Sequence, residues 1–202
     1  MIDFVATFIV FFAVVDPIGT VPVFIAVTSG HDKAAIRNIA VQATIISALI
    51  LIFFVMAGEL ILDAIGIPLP AFQIAGGIVL FLFALTMIFG DSKPEEEVKL
   101  VRSARDTAVF PLAVPSIASP GAMLAAVMQT ENEVFNLVQQ LQVTSMMLAV
   151  LVVVLVLMLG ASFVIRLIGD SGASIISRVM GLILASVAVE SVLSGTKIYF
   201  SI

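Results

Sequence analysis

The chain predicts an all-α, polytopic membrane protein, and three observations predict it. Apolar residues make up 61% of the 202 positions and charged ones 11%, with a mean hydropathy of +1.26. Soluble domains run about 45–50% apolar and about 25% charged. Six apolar stretches, at residues 3–29, 38–62, 68–90, 108–130, 141–165 and 173–196, each suffice for a hydrocarbon core that needs about 20 residues per helix. If those stretches alternate in direction, eight of the nine basic residues fall on one face: Lys33, Arg37, Lys93, Lys99, Arg102, Arg105, Arg166 and Arg178. Only Lys197 falls on the other.

The third observation also orients the chain. Basic residues stay on the cytoplasmic side, so loops 30–37, 91–106 and 166–173 are expected in the cytoplasm and both termini outside, in an inner (plasma) membrane. No Lys or Arg precedes Lys33. The basic leader of a signal peptide is therefore missing, and the first stretch is expected to stay in the mature protein. We expect one integral membrane domain, 1–202, with halves 1–90 and 107–202 joined by a polar connector, 91–106, that carries Glu95-Glu96-Glu97.

Whole classes of function drop out. With no Cys there is no disulfide or thiol chemistry, including that of six-span electron carriers with broken helices. With one His, His31, a His-rich metal site is excluded, and a solvated loop is its expected place. No HExxH, GxSxG or Walker A motif occurs, so neither catalysis, a cofactor nor an ATP-driven pump is expected. The basic residues form no cluster interleaved with aromatics, which argues against nucleic acid. The expected partners are the lipid bilayer and a small-molecule substrate, with a homo-oligomer left open.

The halves resemble each other at a nearly constant offset. Asp16-Pro17 corresponds to Ser119-Pro120, Met56-Ala57-Gly58 to Met158-Leu159-Gly160, Ile65-Gly66 to Ile168-Gly169, and Gly77-Ile78-Val79-Leu80 to Gly181-Leu182-Ile183-Leu184. Three spans per half is an odd number, so the second half must be inverted. Inverted repeats are a transporter signature, with the substrate site near the midplane.

Stretches one and four carry five of the eight prolines. Each Pro lacks an N–H and frees the carbonyl four residues back: Pro17 that of Ala13, Pro22 that of Ile18, Pro120 that of Ser116. An unpaired carbonyl costs several kcal/mol in hydrocarbon, and hydroxyls of Thr20, Ser116 and Ser119 are placed to relieve it. Two readings stay open. One is a pair of Pro kinks packed by Gly. The other is a pair of discontinuous helices, broken around Pro17, Pro22, Pro115 and Pro120, whose N-termini and freed carbonyls cradle a small zwitterion. On the second reading, Asp16, Gly19, Thr20, Ser116, Ser119 and Gly121 line the site.

Two acids lie at bilayer depth, where a charge costs at least about 2.5–3.5 kcal/mol. Asp16 is placed to cap the helix that starts at Pro17, to couple transport, or both. Glu190 shares a face with Ser186 and Ser194 at four-residue spacing, continued by Gly181 and Ala185. It reads either as part of a small-residue packing seam or as a proton-coupling or cavity-lining carboxylate. Gln73, Asn38 and Gln42 are weaker polar candidates.

These motifs carry a family resemblance. Asp16-Pro-Ile-Gly-Thr-Val-Pro-Val-Phe24, Phe110-Pro-Leu-Ala-Val-Pro-Ser-Ile-Ala-Ser-Pro-Gly-Ala122 and Ser177-Arg-Val-Met-Gly-Leu-Ile-Leu-Ala185 resemble the MarC, or UPF0056, family of bacterial integral membrane proteins along the whole chain. The resemblance extends to the wider six-span lysine-exporter superfamily. It implies a secondary transporter or exporter, with neutral amino acids such as glycine and alanine among the substrates of some relatives. The family pattern has Asn at position 16 and Gln at position 190, where this chain is acidic. That departure implies altered coupling or a cationic substrate. A non-transporting membrane protein and an ion pathway remain the rival expectations.

Overall fold

The computed structural model describes residues 3–89, 108–130 and 135–201, so the connector 91–106 lies outside the described residues. Among those described there is no strand. The helices are α1 (Phe4–Val15), α2 (Pro17–Thr28), α3 (Lys33–Ala64), α4 (Leu69–Phe89), the irregular α5 (Ala108–Ile117), α6 (Pro120–Met128), α7 (Leu137–Leu159) and α8 (Ala161–Phe200). Five segments are long and apolar enough to cross a membrane. They are residues 4–28 (α1 with α2), α3, α4, α7 and the 174–200 part of α8. α5 and α6, bent by 54° at their break, make a sixth if counted as one span.

Helix starts follow local chemistry. Asp3, Asp32 and Asn136 each accept hydrogen bonds from first-turn N–H groups of α1, α3 and α7, and Gln139 completes a reciprocal capping box with Asn136. These side chains satisfy donors that a helix end leaves unpaired.

The fifth stretch differs from its expected bounds. α7 ends at Leu159, and residues 161–165 begin α8 instead. The expected loop 166–173 is helical apart from Gly169, whose φ of 67° breaks the helix. The apolar run across Gly160 hides this boundary, because hydropathy does not register a turn of one residue.

Burial separates the helices into two groups. The hydropathic window of residues 4–28 is 61% buried, against 22–33% in the other four candidate spans. α1 and α2 thus form the middle of the bundle. α3, α4, α7 and α8 surround them and turn Leu49, Phe53, Leu82, Val152 and Leu193 outward, an apolar exterior suited to lipid.

The tightest packing joins α4 to α8. A Cβ on Gly77 would stand 2.8 Å from the Ala188 carbonyl, one on Gly181 3.1 Å from the Ala84 carbonyl, and one on Gly195 3.0 Å from the Pro70 carbonyl. Small residues let membrane helices approach this closely. On α8 the seam runs Gly181, Ala188, Gly195, a seven-residue repeat. The four-residue Ser186–Glu190–Ser194 face expected from sequence is therefore not the packing stripe: Ser186 is exposed, and its hydroxyl bonds the Leu182 carbonyl of its own helix. A spacing of four drifts around a helix, whereas a seven-residue spacing stays against its neighbour.

Candidate functional site

Asp16 is the hinge of the first junction. It is fully buried and left-handed (φ 49°, ψ 67°), a conformation that Asp tolerates better than most residues. Its own N–H closes α1 on the Phe12 carbonyl at 3.0 Å. Its carboxylate starts α2, one oxygen accepting the Gly19 N–H at 3.0 Å and the other the Ser177 hydroxyl of α8 at 2.8 Å. Negative charge at a helix N-terminus also opposes the helix dipole. Among the described residues, neither oxygen has a cationic partner. Gly19 is required beneath this carboxylate, since a Cβ there would overlap the Asp16 carboxyl and stand 2.6 Å from Ser177 Oγ.

The second junction is longer and neutral. In α5, Phe110 and Val114 leave helical geometry, each preceding a cis proline, Pro111 and Pro115. Ser119 then caps α6, its hydroxyl accepting the Ala122 N–H at 3.1 Å, with Pro120 in the first turn.

The two junctions touch. Ser119 donates to the Val14 carbonyl of α1 at 3.1 Å. Thr20 spends its hydrogen on the Asp16 carbonyl at 3.0 Å, so in its 3.3 Å contact with Ser116 it can only accept. Ser47 of α3 spends its hydrogen on the Ala43 carbonyl of its own helix at 2.8 Å and only approaches the Ala113 carbonyl, at 3.4 Å. The carbonyls these hydroxyls reach are thus those of Asp16 and Val14, whereas proline position alone picks out those of Ala13, Ile18 and Ser116.

The structure brings Asp16, Gly19, Thr20, Ser116 and Ser119 into one buried cluster. Gly121 lies just beyond, against Leu80 and Val14. All six are buried, and none lines any of the three pockets described among these residues. Pro17 and Pro120 stand in first turns and Pro115 in irregular α5, but Pro22 lies inside a continuous α2 and does not break it. Asp16 itself occupies the α2 N-terminus where an anionic ligand group would dock.

Glu190 stands apart from the cluster. It is exposed and lines a pocket of about 250 Å³ with Gln73. His31 is not the solvated loop residue expected. It is half-buried, its Nδ1 is buried without a partner, and it lines a second pocket of about 260 Å³ with Thr28, Ser29 and Ser162. Ser177 is the member of this cluster that sequence reasoning did not assign to the site. Its signals are its place at the head of the Ser177–Ala185 motif and its position four residues before Gly181, on the buried stripe of α8.

A buried carboxylate at a helix junction, ringed by hydroxyls inside an apolar helical bundle, is thus the arrangement to set beside known proteins. The chain matches the model of the MarC family of integral membrane proteins over residues 1–200. It belongs to the MarC family. A UPF0056 membrane protein of Archaeoglobus fulgidus is 34% identical over 195 residues, covering 95% of this chain and 91% of its own. The UPF0056 membrane protein MJ1677 of Methanocaldococcus jannaschii is 35% identical over 198 residues and 96% of each chain. The inner membrane protein YhgN of Escherichia coli K12 is 29% identical over 202 residues and 98% of each. No solved structure matches. As a MarC protein, the chain is an integral membrane protein.

Proposed function

We propose that this protein is a secondary transporter, working as an exporter, of a small metabolite, with neutral amino acids the first class to test. Transport proceeds by alternating access at the α1–α2 and α5–α6 junctions. The observation that carries this reading is the buried Asp16–Ser177–Thr20–Ser116–Ser119 cluster. Buried polar groups at bilayer depth are expensive and are kept where they line substrate or ion pathways. On this reading the present conformation is occluded, and Asp16, Gly19, Thr20, Ser116, Ser119 and Gly121 reach substrate once the bundle opens. Asp16 and Glu190 are its coupling candidates. The chain acts without a cofactor and catalyses no reaction.

Two further features support it. First, the seam between α4 and α8 is reciprocal. Gly77 faces Ala188 and Gly181 faces Ala84, and adding the repeat offset of 104 to Gly77 and Ala84 gives Gly181 and Ala188. A contact that maps onto itself when its partners exchange is the mark of a two-fold axis. It fits an inverted 3+3 repeat with spans one and four broken. Second, the hydrogen bonds Ser177–Asp16, Thr20–Ser116 and Ser119–Val14 all join the first half to the second. At about 0.6 kcal/mol each in a membrane, together they hold one state against another by only a few kcal/mol, the range of a two-state equilibrium. One half can then rock against the other.

The orientation follows the basic residues, with both termini outside and the connector in the cytoplasm. The test is flux in proteoliposomes against a panel of labelled amino acids. Concentrative or exchange flux, altered by Asp16→Asn and by Pro120→Ala in protein that remains folded, is expected. No flux for any member of the panel contradicts the reading.

A further inference from the structure

A second set of polar groups lies away from the junctions, in the pocket of about 250 Å³ that holds Glu190. α1, α6, α4 and α8 contact one another in a ring around it. Leu80 and Leu184, both buried, line its apolar side, and Gln73, Gln129, Glu190 and Ser191 its polar side. Ser191 is only 4% exposed. Among the described residues its hydroxyl, the two amides and the Glu190 carboxylate have no hydrogen-bond partner. Glu190 stands six residues before the end of the apolar stretch 173–196, about 9 Å by helical rise, in the outer half of that stretch. No Lys or Arg lines the pocket. Lys197, the one basic residue on the outer face, stands two turns further along α8, about 10 Å away by rise.

We propose that this pocket binds a small organic ammonium ion, with the Glu190 carboxylate as its counter-charge. A carboxylate held at this depth without a cationic partner favours a ligand that brings the positive charge with it. Two of the three further acceptors, Ser191 Oγ and the carbonyl ends of Gln73 and Gln129, take the remaining two ammonium hydrogens, since an ammonium has three donors and no acceptor. The apolar half of the lining takes a hydrocarbon body. Hard metal cations instead demand six or more oxygen ligands, and here they would face leucines. The volume equals roughly eight waters at about 30 Å³ each, room for a short-chain amine. In the orientation proposed above the outer face carries Asp3, Glu59 and Asp63 against Lys197, a balance that favours cations on that side. The site's part in transport rests on the reading above, which it deepens by naming a charge class. Binding does not rest on it.

The test is calorimetric titration of n-butylammonium into the full chain in phosphatidylcholine nanodiscs, with n-butanol and butyrate as neutral and anionic matches in size. Saturable binding of n-butylammonium alone is expected. Glu190→Gln should weaken it at least tenfold, Ser191→Ala two- to fivefold, and Glu190→Asp less than Glu190→Gln. Ala125→Leu, which fills the pocket from α6, should abolish it and serves as the second variant if Glu190→Gln does not fold. No saturable binding, equal binding of n-butanol, or unchanged affinity in Glu190→Gln overturns the proposal. Amino-acid flux without n-butylammonium binding removes this site and leaves the transport reading standing. Binding without flux does the reverse.

Discussion

The two junctions at the centre of the bundle share a sequence grammar and differ in chemistry. Each places a capping side chain immediately before a proline, Asp16 before Pro17 and Ser119 before Pro120, and each starts a helix there. The first turns on one left-handed residue and is held by a charge. The second spreads its irregularity over the ten residues of α5 and bends by 54°, yet is held by a neutral hydroxyl. The first reaches out to α8 through Ser177, and the second reaches back to the first through Ser119. A short break needs a strong local partner, because one residue must satisfy both helix ends. A long break distributes that task over several carbonyls and leaves its cap free to act as a bridge.

Substitutions can break or sharpen this contrast. The largest effect is expected from Gly19→Ala, whose Cβ has no space beneath the Asp16 carboxyl. Overpacking of this kind costs about 1–3 kcal/mol, and flux should also be lost. Thermal unfolding in detergent reads the first and proteoliposomes the second. Next, Asp16→Ala should cost more than Ser119→Ala. Both lose a cap worth about 1 kcal/mol and a bond across the halves worth about 0.6 kcal/mol, Asp16 that from the Ser177 hydroxyl and Ser119 that to the Val14 carbonyl, but only the former also puts Ala at a left-handed position that Asp tolerates better. Equal losses in the two melts would erase the contrast. Asp16→Asn keeps one acceptor oxygen, for the Gly19 N–H, and turns an NH2 donor toward Ser177 Oγ in place of the second acceptor, so its stability should fall between those of Asp and Ala while flux changes. The smallest effect belongs to the Thr20–Ser116 contact. A double-mutant cycle of Thr20→Val with Ser116→Ala should give a coupling near about 0.6 kcal/mol, the average for membrane hydrogen bonds.

Much of this is legible in the chain. Composition and proline placement lead to the bundle and to both junctions, and Asp16 as an N-cap follows from an acid before a proline. What composition does not supply is who faces whom. Ser177 reads as one more small residue until α8 is packed on α2, and only then does its hydroxyl meet Asp16 from 161 positions away. Pro22 reads as a breaker because propensity is local, whereas in the packed bundle α2 runs through it. The end of α7 escapes sequence reading for the same reason in reverse, since an apolar run gives no signal at a one-residue turn. His31 reads as solvated from its polar neighbours Asp32 and Lys33, but its Nδ1 is buried and it lines a pocket together with Met158 and Leu159 at the end of α7.

The central claim is that the buried junction cluster opens to each side of the membrane in turn. The native chain has no cysteine, so the Ser116→Cys variant carries a single thiol at the place where the two junctions meet. In proteoliposomes of one orientation, a membrane-impermeant thiol reagent applied from either side tests the claim directly, with Ser29→Cys, at a position exposed in the structure, as the accessible control. The thiol introduced at position 116 is predicted to react from both sides, with transported substrate shifting the ratio of the two rates. Reaction from neither side, or from one side at a rate no substrate alters, while the control thiol at position 29 labels fully, would contradict the claim.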